Sequence, residues 1–146
     1  MYICIDFHFI QDQYSMKINT KIRYGLRTLV VIASSTGTEG VLQKDIADSQ
    51  NISVKYLDSI ISYLKLKGLI VNAQGKRSGY RLARPADQIT MLDIYTAFDR
   101  IDVVECLNNE NCCPRKTTNC KANKYWHSLK TDFTSLLENK TLSEIM

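Results

Sequence analysis

Apolar positions recur with helical spacing along most of the chain. Between residue 19 or 20 and about 35, Ile22, Leu26, Leu29, Val30 and Ala33 mark one face of a helix. Gly37 and Gly40 then break the pattern. A shorter helix is expected over residues 42–49, with Leu42, Ile46 and Ala47 facing inward and Asn51-Ile52 forming a turn. Ser53 suits an N-cap, because its hydroxyl accepts a free first-turn amide. The helix it starts should bury Val54, Leu57, Ile60, Ile61 and Leu64, leave Lys55, Asp58, Ser59 and Ser62 on its polar side, and end at Gly68.

The period then shortens to that of strands. Residues 69–73 and 80–82 read as two strands joined by the basic, glycine-bearing turn 74–79, which carries Lys76 and Arg77. Thr90 and Asp93 form a capping-box pair, and Ile89 and Ile94 suit the accompanying hydrophobic staple, for a helix running to about Arg100. A last helix is expected over residues 121–139, striped by Trp126, Leu129, Phe133, Leu136 and Leu137. A small domain can bury only part of such a stripe, so a second copy of the chain is expected to cover the rest. Thr141 and Glu144 repeat the capping-box pattern at the end. At the other end, Ile3, Ile5, Phe7 and Phe9 alternate with Cys4, Asp6 and His8. That alternation reads either as a short strand or as an extension ahead of a start at Met16.

A short helix, a tight turn and a capped second helix form a helix-turn-helix pattern, whose second helix can enter a major groove. A plain helical hairpin has the same spacing. The basic hairpin that follows favours the first reading, because it has the position of a wing. Lys76 and Arg77 at its tip are placed to neutralise phosphates or probe a minor groove. Charge separates along the chain in the same sense. Residues 16–86 hold 12 Lys or Arg against 4 Asp or Glu, a balance of +8, whereas residues 87–146 hold 7 against 9. The whole chain is +4 over 146 residues. The expected fold is therefore mostly α with a small β-hairpin wing. Its parts are an extension (1–15), a winged helix-turn-helix (16–86), a connecting helix (87–105), a cysteine loop (106–120) and a dimerisation helix with its tail (121–146).

That loop holds Cys106, Cys112, Cys113 and Cys120. Thiols this dense usually bind a metal or cluster, or form disulfides. No apolar run approaches the roughly 18 residues that span a membrane, and the N-terminus lacks the basic start of a signal peptide. The expected compartment is the reducing cytoplasm, with no membrane partner, which disfavours a structural disulfide framework. Iron–sulfur ligation by cysteines of this loop is one outcome. Zinc held by Cys106, Cys112, Cys120 and either Cys113 or His127 is a second, although the usual C-x2-C pairs are missing. A cluster-free thiol switch is a third, and inert cysteines are a fourth. Enzymatic chemistry finds little support. There is no C-x-x-C beside a strand–helix unit and no glycine-rich phosphate loop, and His8 and His127 are the two histidines.

Several segments together resemble the winged-helix iron–sulfur regulators typified by IscR and NsrR. They are the opening from Met16 to Leu26, Asp45-Ile-Ala47, Ile52-Ser-Val-Lys-Tyr-Leu57, Leu64-Lys-Leu-Lys-Gly-Leu69, Gly79-Tyr-Arg-Leu82, the cysteine loop and Thr141-Leu142. The resemblance covers about 130 of the 146 residues. It implies a homodimeric bacterial transcription factor that binds a palindromic operator in double-stranded DNA. It also implies a [2Fe-2S] or [4Fe-4S] cluster held by three cysteines, here Cys106, Cys112 and Cys120, near the dimer interface. Ser53, Lys55, Tyr56 and Asp58 match the family's DNA-reading positions. Ser53 and Tyr56 suit phosphates, and Asp58 suits a cytosine amino group. The chain departs from the family in three places. Gln74 stands at an arginine position of the wing. The third cysteine is spaced further from the second. Asn123 and Arg23 stand where the family's known fourth ligands would be.

Overall fold

The computed structural model describes residues 18–35, 37–75, 78–108 and 120–146. The expected strand over 2–10, the wing-tip residues Lys76 and Arg77, and Cys112 and Cys113 lie outside the described residues. Those described form five α-helices and a two-stranded antiparallel sheet, in the order α1 (Thr20–Ser34), α2 (Gln43–Gln50), α3 (Val54–Leu66), β1 (Ile70–Asn72), β2 (Tyr80–Leu82), α4 (Met91–Phe98) and α5 (Lys121–Glu138). Short 3-10 turns occupy Ala86–Gln88, Glu105–Leu107 and Leu142–Glu144. The fold is mostly α with a small hairpin and a long last helix, as the patterning implied.

One core holds the first three helices, the hairpin and α4 together. Leu29, Ile46, Leu57, Ile60, Leu64, Leu69, Ile70, Ile89 and Ile94 are among its fully or almost fully buried members. The buried face of α1 is turned relative to expectation. It runs through Ile22, Gly25, Thr28, Leu29 and Ile32, while Leu26, Val30 and Ala33 are half-buried at the core's edge. The Phe98 ring on α4 sets this rotation, since a Cβ built on Gly25 would lie 2.2 Å from Phe98 Cε2. A glycine there lets α1 and α4 approach closely.

Two helix ends are fixed by backbone geometry. Asn51 adopts a left-handed φ of 52°, and the Ile52 amide donates to the Ala47 carbonyl at 3.1 Å. Gly68 does the same after α3, with the Leu69 amide donating to the Leu64 carbonyl at 2.9 Å. Both satisfy carbonyls that a helix end leaves without partners. At helix starts, two apolar residues expected inside are exposed: Leu42 is the N-cap of α2, and Val54 is the first residue of α3. Each lies one turn beyond the buried face of its helix, past the edge of the core.

The strands are shorter than the 69–73 run suggested. Ile70, Val71 and Asn72 pair with Leu82, Arg81 and Tyr80. The chain ahead of α2 adds a third pairing, on β2 at its end nearest the turn. Val41 and Tyr80 exchange both backbone bonds, at 2.9 and 2.8 Å, and the Gly79 amide donates to the Glu39 carbonyl. The backbones meet so closely that a Cβ on Gly79 would lie 2.2 Å from the Val41 carbonyl carbon.

The capping box of α4 forms in full. The Asp93 amide donates to Thr90 Oγ1 and the Thr90 amide to Asp93 Oδ2, both at 3.1 Å. Ile89 and Ile94 are both fully buried beside it, as a hydrophobic staple requires. The helix ends at Phe98, earlier than expected. Arg84 Nη2 also donates to Asp93 Oδ2, at 2.7 Å. Burial pushes the Asp93 pKa up, but the Thr90 amide and the Arg84 guanidinium outweigh it and hold the pKa below its ordinary value of 3.8. A depressed carboxylate stabilises the fold above the ordinary pKa, and that stability is lost as pH falls through the folded value. Asp93→Ala should therefore cost about 1 kcal/mol in urea unfolding at neutral pH. The difference from the unsubstituted protein should shrink below about pH 4; a gap that persists at lower pH would refute the assignment.

The tail beyond α5 returns to the core. The Leu142 amide donates to the Ile89 carbonyl and the Met91 amide to the Lys140 carbonyl, each at 2.8 Å. Leu142 is fully buried in the main core. The second expected capping box does not form. Thr141 makes no side-chain bond to the backbone of the turn, and its hydroxyl meets Ser143 and Glu144 instead. Glu144 pairs with Lys140 at 2.8 Å.

Candidate nucleic-acid interface and thiol site

Helices α2 and α3, joined at left-handed Asn51, present the outer face of α3. Ser53 caps that helix by accepting from the Tyr56 amide at 3.2 Å, so its hydroxyl points into the first turn. Ser53, Val54, Lys55, Asp58 and Ser62 are exposed, while Leu57, Ile60, Ile61 and Leu64 are buried on the opposite side. Of the residues expected to meet DNA, Ser53, Lys55 and Asp58 thus share one open helical face. Tyr56 is half-buried, edge-on to the Tyr24 ring with centroids 5.7 Å apart. Its body is a packing group, and any contact it makes falls to its hydroxyl.

Asp58 has a partner that sequence spacing did not reveal. Gln43, at the start of α2, donates its carboxamide N–H to Asp58 Oδ1. The carboxamide oxygen of Gln43 faces the Tyr80 hydroxyl on β2, at 3.4 Å. Lys65 Nζ sits 4.7 Å over the Tyr80 ring, an arrangement the ring's quadrupole favours. Val54 is the other residue missed, because an apolar side chain at the head of an amphipathic helix reads as core. The signal for its exposure is its place one turn before the first buried leucine.

The wing is described up to its tip. Gln74, Gly75, Ser78 and Gly79 are placed, with Gly75 at a φ of +126° that suits glycine. Arg81 is exposed on the hairpin beside Gln74, lining a shallow polar groove with Gly37, Thr38 and Glu39.

The cysteine loop is bracketed by two described thiols. Cys106 lies in the 3-10 turn Glu105–Leu107, which packs on α5, and Cys120 is the N-cap residue of α5. Both are free and half-buried. Among the described residues no three His, Cys, Asp or Glu side chains gather as a metal-binding group. His127 is exposed on α5. It is seven residues past Cys120, or about 10 Å along a helix axis.

Helix α5 has no fully buried residue within one chain. Its stripe divides in two. Phe133 meets the Tyr95 ring edge-on at 5.9 Å, and with Leu137 it packs on Ile22, Tyr95 and Ile101. Trp126 and Leu129 are half-buried, Leu136 is 61% exposed, and Tyr125 stands exposed against Trp126. Among the described residues no helix is long and apolar enough to cross a membrane.

Comparison with known proteins gives a consistent picture. A family model described as Rrf2, iron-dependent transcriptional regulator, matches residues 18–146. The protein named rrf2 from Nitratidesulfovibrio vulgaris (strain Hildenborough) is 36% identical over 132 residues, covering 90% of this chain and 87% of that one. The HTH-type transcriptional regulator IscR of Vibrio vulnificus is 31% identical over 132 residues, 90% of this chain and 77% of its own length. Among solved structures, that of CymR, described as the global cysteine regulator of B. subtilis, superposes with a TM-score of 0.72 at 30% identity, over 90% of this chain and 96% of that one.

Proposed function

We infer, from the premise that this chain belongs to the Rrf2 family of iron-dependent transcriptional regulators, that it reads a palindromic operator and senses through its cysteine loop. At family level the chain is a DNA-binding, dimeric transcriptional regulator and not an enzyme. It acts in the cytoplasm, where such regulators meet bacterial DNA.

In the proposed complex α3 lies in the major groove. The observation that carries this is its single open face, capped by Ser53 and bearing Lys55 and Asp58. Lys55 and the Ser53 hydroxyl serve phosphates, Tyr56 contributes its hydroxyl, and Asp58 accepts from an exocyclic amine. Exposed Val54 adds an aliphatic group of the kind that contacts a thymine methyl. Lys76 and Arg77 at the wing tip supply positive charge to the phosphates or the minor groove. Two such heads joined through α5 would give the operator its two-fold symmetry.

An iron–sulfur cluster is the proposed sensor, with Cys106, Cys112 and Cys120 as ligands and Cys113 as a spare. The donor chemistry fits: Cys106 and Cys120 are free, half-buried thiols at the two ends of the loop, and thiolates are the ordinary ligands of such clusters. His127 suits the fourth position poorly, being exposed two turns along α5 from Cys120. When bound, the cluster would supply a redox- and nitric-oxide-sensitive centre. The chain's own part is to join that loop to α5 at both ends, through the turn at Cys106 and the helix start at Cys120. A second reading is a cluster-free thiol switch, which the free thiols of Cys106 and Cys120 at the two ends of the loop would allow. Zinc held by the same cysteines is a third outcome. Anaerobic purification with absorption spectroscopy and iron and sulfide analysis separates them. Brown protein containing iron and acid-labile sulfide is expected, lost on Cys106→Ala or Cys120→Ala. Protein holding only zinc, or no metal, overturns the cluster.

A further inference from the structure

We propose that Gln43 is a positioning residue for base recognition. It holds one oxygen of Asp58 so that the other meets a single exocyclic amine in the major groove. This rests on the recognition-helix reading above and adds to it a residue outside the recognition helix.

The argument starts from what an aspartate needs on a DNA-facing surface. A free carboxylate in a groove walled by phosphates is repelled, and its side chain turns about two torsions. It becomes selective when it is fixed toward a donor such as the cytosine N4 amine. Gln43 provides that fixation. Its carboxamide N–H donates to Asp58 Oδ1, which leaves Oδ2 as the acceptor open to the groove. The orientation of the carboxamide follows from its surroundings. The opposite orientation would set its carbonyl oxygen against the carboxylate and its amide against the Tyr80 hydroxyl.

Tyr80 holds the other end. Its hydroxyl faces Gln43 Oε1, its ring lies under Lys65 Nζ, and its backbone is paired twice with Val41, two residues before Gln43. The relay Tyr80–Gln43–Asp58 therefore runs from wing strand β2, through the head of α2, to the outer face of α3. Gln43 and Tyr80 are half-buried and Asp58 is exposed, so the relay ends at the surface that meets DNA. The Gln43 amide is a neutral donor, so it orients the carboxylate without cancelling its charge. The remaining acceptor selects cytosine, or adenine through its N6 amine, over bases that present only acceptors at that place.

The test uses the full-length protein and a randomised duplex library, first to obtain its preferred operator and then to read base preference position by position. Asp58→Ala should flatten preference at one base pair per half-site, by about tenfold. Gln43→Ala should flatten the same position by at least about threefold and leave the other positions and the salt dependence unchanged. Gln43→Glu, which sets two carboxylates together, should do so more strongly. Tyr80→Phe keeps the ring and removes the hydroxyl, and should give a smaller loss at the same position. This variant keeps the test decisive if a Gln43 substitution lowers stability. The double variant Gln43→Ala/Asp58→Ala should be no worse there than Asp58→Ala alone. If Asp58→Ala alters one position while Gln43→Ala, Gln43→Glu and Tyr80→Phe do not, the positioning role is overturned and the recognition-helix reading stands. If Asp58→Ala alters none, that reading falls and the positioning role with it.

Discussion

Leu142→Ala is expected to lower unfolding free energy by about 3 kcal/mol, as much as truncating a leucine at the centre of the core. The residue lies in a short polar tail, where a truncation would ordinarily be harmless. In the structure it is fully buried in the main core, and its own amide is bonded to the Ile89 carbonyl. Removing three heavy atoms leaves a cavity that the paired backbone around it hinders from collapsing. Ile145→Ala, three residues on and exposed, should stay within about 0.5 kcal/mol and serves as the control. Urea unfolding followed by circular dichroism reads both. Equal, small effects for the two substitutions would mean that the tail merely rests on the surface.

The opposite behaviour is expected one element earlier. Leu136→Glu should leave the folded chain's helicity unchanged and split the dimer. Leu136 is 61% exposed in the single chain, so the substitution removes little that one copy buries. In the proposed dimer, a carboxylate would have to lose its water against the apolar stripe of a second α5. Sedimentation at micromolar concentration should show monomers. Because two linked heads bind an operator with an avidity that one head lacks, affinity should fall about 100-fold or more. Phe133→Ala makes a useful contrast. Phe133 packs on Tyr95 within its own chain, so its loss should lower stability as well as any effect on assembly. A dimer that survives Leu136→Glu would move the interface off this stripe.

Much of the fold was legible because its boundaries are written in local chemistry. Ser53, the Thr90–Asp93 pair and Gly68 each act within one turn of the helix they start or stop, and all three do in the structure what their residue types imply. Period failed where a neighbour chooses the face. Helix α1 rotates so that Gly25 meets the Phe98 ring, a contact between residues far apart in sequence. Leu42 and Val54 misled because apolarity at a helix start says nothing of whether the core extends that far. Leu142 and the Val41–Tyr80 pairing left no periodic trace, being a single apolar residue and a single bridge. The candidate interface followed the same division. The open face of α3 could be read from spacing, but the Gln43 bond to Asp58 depends on how α2 and α3 cross.

The doubled backbone bond between Val41 and Tyr80 also has a mechanical side. A hairpin tethered only at its two strand ends would swing on a hinge and absorb any strain applied at its tip. Here β2 is also fastened at its turn-ward end to the segment that leads into α2, with Gly79 pressed against the Val41 carbonyl. Strands held in this way at both ends would act on the helix pair as a stiff lever. Variation in minor-groove width along the operator would then be felt as torque on α2 and α3 rather than lost in a flexible arm.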